Sequence, residues 1–184
     1  MVTEEIRFFL DNIMNTGNML GLDRPTMEVY LAEGIKNDAE PDVLLQVDSY
    51  TVLGGFLEAL INKMLSEANK GGGGAEWIIK QYTDFSNNIK SYEREIIYHT
   101  KRYFDKINNI ADALRKFGMK VKVHLSELSS GVELYLSGRY EALKDHISRK
   151  INELSAEGIS KIIFVSPFEY SFLSISHASL APTA

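Results

Sequence analysis

Lys161-Ile162-Ile163-Phe164-Val165-Ser166-Pro167-Phe168-Glu169 is the stretch that decides the fold. Its β-branched and aromatic run predicts a short buried strand over 161–165. Ser166 then supplies an N-cap, Pro167 the first helical position and Glu169 the third, the pattern of a capping box. The helix so opened is expected to run from Phe168 to about Ile175. Just upstream, residues 140–156 carry a helical apolar period that stops at Gly158. Helix, glycine, strand and helix therefore follow one another without a break.

The same alternation extends toward the N-terminus. Lys120–Leu125 is a strand candidate, preceded by a helix over Lys101–Phe117 that Gly118 ends. Glu95–Tyr98 is a shorter strand candidate, and Asp42–Val47 is the first buried strand, opened by Pro41. Between them lie helices over Leu53–Ala68, with Phe56, Leu57, Leu60, Ile61, Met64 and Leu65 as its apolar face, and over Ala75–Asn88. Four consecutive glycines, Gly71–Gly74, separate these two helices and predict a mobile loop. Glu4–Asn15 places Ile6, Phe9, Leu10, Ile13 and Met14 on one helical face, and Asp23-Arg24-Pro25 opens a second helix to about Ile35. The expected fold is α/β: a parallel sheet of about four strands with helices on both faces, preceded by two N-terminal helices. Residues 1–36 form the helical segment packed on the main domain, 37–175 the α/β domain, and 176–184 a small, polar tail. Tyr30, Phe56, Trp77, Phe85, Tyr103, Phe104 and Phe117 fall at helical spacings and are expected to fill core or interfaces.

Composition excludes several functions. Net charge is −5, with acidic and basic residues mixed along the chain. No basic stripe is present, so nucleic acid is not an expected partner. No apolar run approaches the ~20 residues of a membrane span. Met1-Val2-Thr3-Glu4-Glu5 lacks the pattern of a signal peptide, and a cytoplasmic location is expected. The absence of cysteine excludes disulfides and thiol catalysis. His99, His124, His146 and His177 do not stand at metal-ligand spacing, so no metal site is expected. The glycine run lacks the Lys-Ser/Thr of a phosphate loop, and no Gly-x-Ser-x-Gly elbow supports hydrolase chemistry.

Ligands of open α/β sheets collect at the carboxyl ends of the strands. The candidate pocket therefore comprises Asp48, Ser49, Tyr50, His99, Lys101, Ser129, Ser130, Ser166 and Glu169. Asp48-Ser49 suits a cation or a hydroxyl-bearing ligand, or else a helix cap. His99 suits an acid or base near neutral pH, or else a plain surface position. Ser129-Ser130-Gly131 suits a helix start with an anion site, or else a capped turn.

Those loops also carry a family resemblance. Over Ile110–Leu173 the supporting stretches are Ala113-Leu114-Arg115-Lys116-Phe117-Gly118-Met119-Lys120-Val121, Ser129-Ser130-Gly131, Tyr135-Leu136-Ser137-Gly138-Arg139-Tyr140, and Glu157 through Tyr170. Together they resemble one cysteine-rich (CCG) repeat of the heterodisulfide reductase B/D-type family, which includes components of glycolate, lactate and glycerol-3-phosphate oxidation complexes. Ser129-Ser130-Gly131 resembles its Cys-Cys-Gly motif, and Ser166-Pro167-Phe168-Glu169 its Cys-Pro-x-Cys motif, each without thiols. Thr16-Gly17-Asn18-Met19-Leu20-Gly21-Leu22 resembles the segment that leads into the family's first repeat. Pro41 to Ser49 resembles its opening strand, with either Ser49 or His99 at a further lost thiol. Iron–sulfur clusters are held by thiolates. The resemblance therefore implies a scaffold that has kept its fold and lost its cluster, with no cofactor expected.

Two functions follow as expectations. One is a non-catalytic binding or assembly protein that docks onto a redox complex or its own copy, with an apolar interface near Phe8, Phe9 and Ile13. The other is a metal-independent enzyme or small-molecule-binding protein that uses the strand-end pocket. Apart from the resemblance, a generic α/β domain of regulatory role stands as a third.

Overall fold

The structure is a computed structural model that describes residues 4–31, 34–68, 73–126 and 128–180. Helix α1 (Glu4–Thr16) and helix α2 (Arg24–Leu31) precede strand β1 (Val43–Val47), the short α3 (Ser49–Val52), α4 (Gly54–Ala68) and α5 (Ala75–Asn87). A 3₁₀ turn (Ile89–Tyr92) leads into α6 (Glu93–Lys116), β2 (Val121–Leu125), the short α7 (Val132–Leu136), α8 (Tyr140–Ala156), β3 (Ile162–Phe164) and α9 (Pro167–Leu180).

The sheet is parallel, with strand order β2-β1-β3. Val43 stands opposite Val121, and Leu44 opposite Ile162. The described residues form three strands where about four were expected. Glu95–Tyr98 is not a strand but part of α6. Ile96, Ile97 and Tyr98 have high β-propensity, yet Ile96, Thr100, Phe104, Ile107 and Ala111 are all buried, and spacings of three and four residues are a helix's. That longer helix packs along α4 and buries a stripe the isolated tetrapeptide could not reveal.

The two side-chain sets of the sheet meet different partners, because alternate residues of a strand point to opposite faces. Leu45, Val47, Val121 and Val123 pack with Phe104, Ile107 and Ala111 of α6. Phe164, on the alternate set, packs against a cluster built from Leu143 and Ile147 of α8, Leu10 and Ile13 of α1, and Leu173 of α9. A third cluster joins Met27 of α2, Phe56 and Leu60 of α4, Phe85 of α5 and Ile96 of α6.

Several local expectations change. Ile61 and Leu65, assigned to the apolar face of α4, are exposed, and Phe117 is 82% exposed at the end of α6. Residues 176–180 continue α9 rather than starting a tail, whereas 181–184 lie outside the described residues, as do Gly71 and Gly72 of the glycine loop. The outer edge of β2 is closed by side chains. Val121 N–H donates to Asp38 Oδ2 at 2.7 Å and Val123 N–H to Asn37 Oδ1 at 2.7 Å. Arg115 Nε holds Asp38 at 2.8 Å. Capping an edge strand this way removes a template for strand addition.

Helices α4 and α6 cross at Gly54 and Gly55. A methyl group at Gly55 would lie 2.7 Å from the Thr100 amide nitrogen and 2.9 Å from the Ile96 carbonyl oxygen, both backbone atoms of α6. Backbone cannot yield as a side chain can. Gly55→Ala is expected to cost ~1–3 kcal/mol of stability by overpacking, whereas its gain in helix propensity is only ~1 kcal/mol. Urea denaturation of the two proteins measures the difference; an unchanged midpoint would contradict the close crossing.

Candidate functional site

The parallel sheet sends its three carboxyl ends to one edge, and three helices begin there. After β1, Asp48 caps α3: its Oδ1 accepts from Thr51 N–H at 3.0 Å and its Oδ2 from Thr51 Oγ1–H at 2.8 Å. After β2, the loop through Ser129 and Ser130 turns at Gly131, whose φ of 86° is left-handed. A Cβ there would lie 2.8 Å from Leu143 Cδ1, so glycine lets the loop lie against α8. After β3, Ser166 Oγ accepts from Glu169 N–H at 3.3 Å.

The capping box expected at Ser166 is thus only half formed. Glu169 does not turn back to the Ser166 backbone. Its carboxylate instead forms a fully buried ion pair with Lys150 of α8. Lys150 Nζ also donates to the Leu128 carbonyl at 2.7 Å and, more weakly, to the Ser129 carbonyl at 3.4 Å. One ammonium therefore ties α8 to the loop after β2 and to the start of α9. A buried ammonium demands a counter-charge, and that demand outweighs the capping preference of Glu169.

His146, one turn before Lys150 on α8, donates Nε2–H to the Ser129 carbonyl at 2.8 Å. A carbonyl only accepts, so this nitrogen carries the hydrogen. Arg149 Nη2 faces Nδ1 at 3.4 Å, and burial lowers the imidazole's pKa, so the ring is neutral. Ser129 Oγ lies 3.4 Å from the same Nε2–H. A protonated nitrogen cannot remove its proton, so Ser129 and His146 are not a nucleophile–base pair.

Of the nine candidate residues, Asp48, Ser49, Tyr50, Ser130, Ser166 and Glu169 line one cavity of about 30 Å³, and Ser129 adjoins it through Lys150. The other two lie elsewhere. His99 and Lys101 are on α6, because the strand meant to end beside them is a helix. His99 Nδ1 contacts Glu58 of α4, a carboxylate partner that sequence could not supply. Sequence reasoning missed Lys150 and His146. Their signal was available: both fall on the buried stripe of α8 with Leu143, Ile147 and Leu154. A lysine inside an apolar stripe points to a buried counter-ion.

The donor set does not fit the iron–sulfur cluster that the resemblance implies. The loops present hydroxyls and a carboxylate, the centre holds an ammonium, and about 30 Å³ has room for one water-sized species. Nor, among the described residues, is any group of three or more His, Asp or Glu side chains placed to hold a metal ion.

Two other recesses are larger. Beside Tyr50, a groove of about 450 Å³ runs between α1 and α7, walled by Ile6, Phe9, Leu10, Ile13 and Leu136. Tyr50 OH donates to Glu133 at its margin, and burial, then this bond, raises the phenol's pKa. On the flank of β2, a recess of about 410 Å³ lies beside a charged clasp. There His124 Nδ1 sits 3.0 Å from Glu157 Oε1, and His124 Nε2 lies 3.8 Å from Glu153. Glu153 accepts from Ser126 at 2.8 Å and pairs with Arg24 of α2 at 2.6 Å.

No family model, curated protein or solved structure matches the chain. Among the described residues, no helix is long and apolar enough to cross a membrane.

Two measurements check this geometry. Lys150→Met strands the Glu169 carboxylate in the interior and is expected to cost ~3–5 kcal/mol in denaturant unfolding, and the double variant Lys150→Met/Glu169→Leu to recover most of the loss. A single variant as stable as wild type would show that the pair is not buried. The clasp has a pH signature. Burial opposes charge on His124, but Glu153 and Glu157 outweigh it and raise its pKa above 6.5. Burial likewise opposes ionisation of Glu153, yet His124, Ser126 and Arg24 pull its pKa down to about 2. The histidine contribution is complete below pH 6.5 and is lost as pH rises through the folded value; the carboxylate contribution is complete above 4.5 and is lost as pH falls toward about 2. The stability gap between wild type and His124→Asn should be widest between pH 4.5 and 6.5 and shrink above that window. A gap that widens with rising pH would refute the assignment.

Proposed function

We propose that this chain is a non-catalytic binding or assembly protein, a cofactor-free relative of the heterodisulfide reductase-type cysteine-rich proteins, that docks onto a protein component of a redox complex. One observation carries this reading. The polar groups at the strand ends are spent largely on one another, leaving about 30 Å³, while the neighbouring groove of about 450 Å³ is walled mainly by apolar side chains. Organic substrates occupy clefts of ~300–1,000 Å³. The strand-end cavity is an order of magnitude too small for the enzyme reading.

The groove has the chemistry of a helix-binding cleft. Ile6 on one wall is 49% exposed and Leu136 on the other 78%. Tyr135, next to Leu136 on α7, joins Tyr140, Phe172 and Phe168 in a chain of ring contacts, with Phe168 and Phe172 stacked at 6.3 Å. Phe9 and Ile13 wall the groove from α1, close to the interface expected from sequence, and Phe8 and Phe9 flank Tyr82 of α5 on the other side. The partner that suits such a groove is an amphipathic helix whose apolar residues recur every three to four positions.

Affinity purification of the tagged chain, followed by identification of what is retained and its iron content, tests the proposal. Wild type should retain a component of an iron-containing redox complex while contributing no iron of its own. Leu136→Asp, at an exposed position, should leave the fold intact and lower that retention by tenfold or more, since an uncompensated buried charge costs ~3–5 kcal/mol. A wild-type protein that stays monomeric and retains no redox component would overturn the reading.

A further inference from the structure

The strand-end cavity holds an unbalanced charge. Glu169 is 2% exposed, with Oε1 on the Lys150 ammonium. Its Oε2 is also buried and has no hydrogen-bond partner among the described residues. Asp48 lines the same cavity, with its carboxylate already capping α3. Two carboxylates therefore line the cavity, only Glu169 is paired with the Lys150 ammonium, and the neutral imidazole of His146 adds nothing. The start of α9 favours a negative charge, but Glu169 itself occupies that first turn. The surplus is one negative charge beside an acceptor-only oxygen that nothing satisfies.

We propose that this cavity binds one monovalent inorganic cation. Glu169 Oε2 and the hydroxyl oxygens of Ser49, Ser130 and Ser166 would surround it, with Asp48 as a second carboxylate. All are hard oxygen donors, the class that sodium- and potassium-like ions take. The volume of about 30 Å³ admits a single ion of water size and nothing organic. A divalent ion is disfavoured because the adjacent Lys150 ammonium repels a double charge more strongly than a single one. A lone water could donate to Oε2 but would leave the surplus charge standing. The ion makes Glu169 a bridge, Oε1 on the ammonium and Oε2 on the metal, and so joins the loops after all three strands. This site does not depend on whether the apolar groove docks a partner.

The full chain is unfolded thermally in sodium chloride, potassium chloride and choline chloride at equal ionic strength. The midpoint in sodium or potassium should exceed that in choline by ~3 °C or more and rise with the logarithm of ion concentration, as a site specific to the folded state requires. The wild-type protein should also broaden the sodium NMR line in a way that potassium competes away. Ser166→Ala and Ser49→Ala leave the Lys150–Glu169 pair intact and should weaken the ion dependence at least threefold, which keeps the test open if Glu169→Gln fails to fold. Equal midpoints in the three salts, or an ion dependence unchanged in both serine variants, would mean that the cavity holds water alone and would overturn the site.

Discussion

A lysine ammonium with no exposed surface and a glutamate that is 2% exposed meet where the three strands end. Everything at that edge is arranged around them. Desolvating two charges costs several kcal/mol per ion, and their attraction repays this only with added hydrogen bonds. Here the additions are the Leu128 and Ser129 carbonyls, which Lys150 pulls toward α8. The loop after β2 is thereby drawn onto the helix, and Gly131 is the residue that lets it come so close. Ser129 N–H in turn donates to the Gly17 carbonyl at 2.8 Å, so the same loop anchors the end of α1.

That arrangement sets what the edge can do. In open α/β sheets the strand ends are where ligands gather, because loops there leave a crevice. In this protein the crevice is closed by an internal ion pair, a neutral histidine and capping serines. The cavity left at that edge is about 30 Å³, smaller than the clefts that hold organic ligands. Next to it lies a larger, mainly apolar groove between α1 and α7. Under the proposed docking role, burial of that apolar wall would supply the driving force for association.

Local chemistry made much of this legible. The serine and proline at the start of α9, the glycine after α8 and the β-branched runs of the strands each act within a few residues, so their elements could be placed from sequence. The strand ends could also be expected to gather Asp48, Ser49, Ser130, Ser166 and Glu169, since parallel crossovers put those loops on one side. The failures share a cause. Glu95–Tyr98 has strand-forming residues, but its helix is decided by packing of Ile96 and Thr100 against α4. With that strand gone, His99 and Lys101 leave the site. Glu169 suits a capping box locally, yet Lys150, on the preceding helix, claims its carboxylate.

By itself, then, the sequence determined the alternation of helices and strands, the parallel sense of the sheet and the cluster of loops at its carboxyl edge, because these follow from periodicity, capping and chain chirality, all of short range. Only the tertiary structure decided that the edge is closed and the neighbouring wall open. Pairing of Lys150 with Glu169, tautomer choice at His146 and the crossing at Gly55 depend on distances between segments far apart in the chain. Desolvation makes those distances decisive: the same lysine would be an ordinary exposed charge on an isolated helix, and becomes the centre of the fold only where water is excluded.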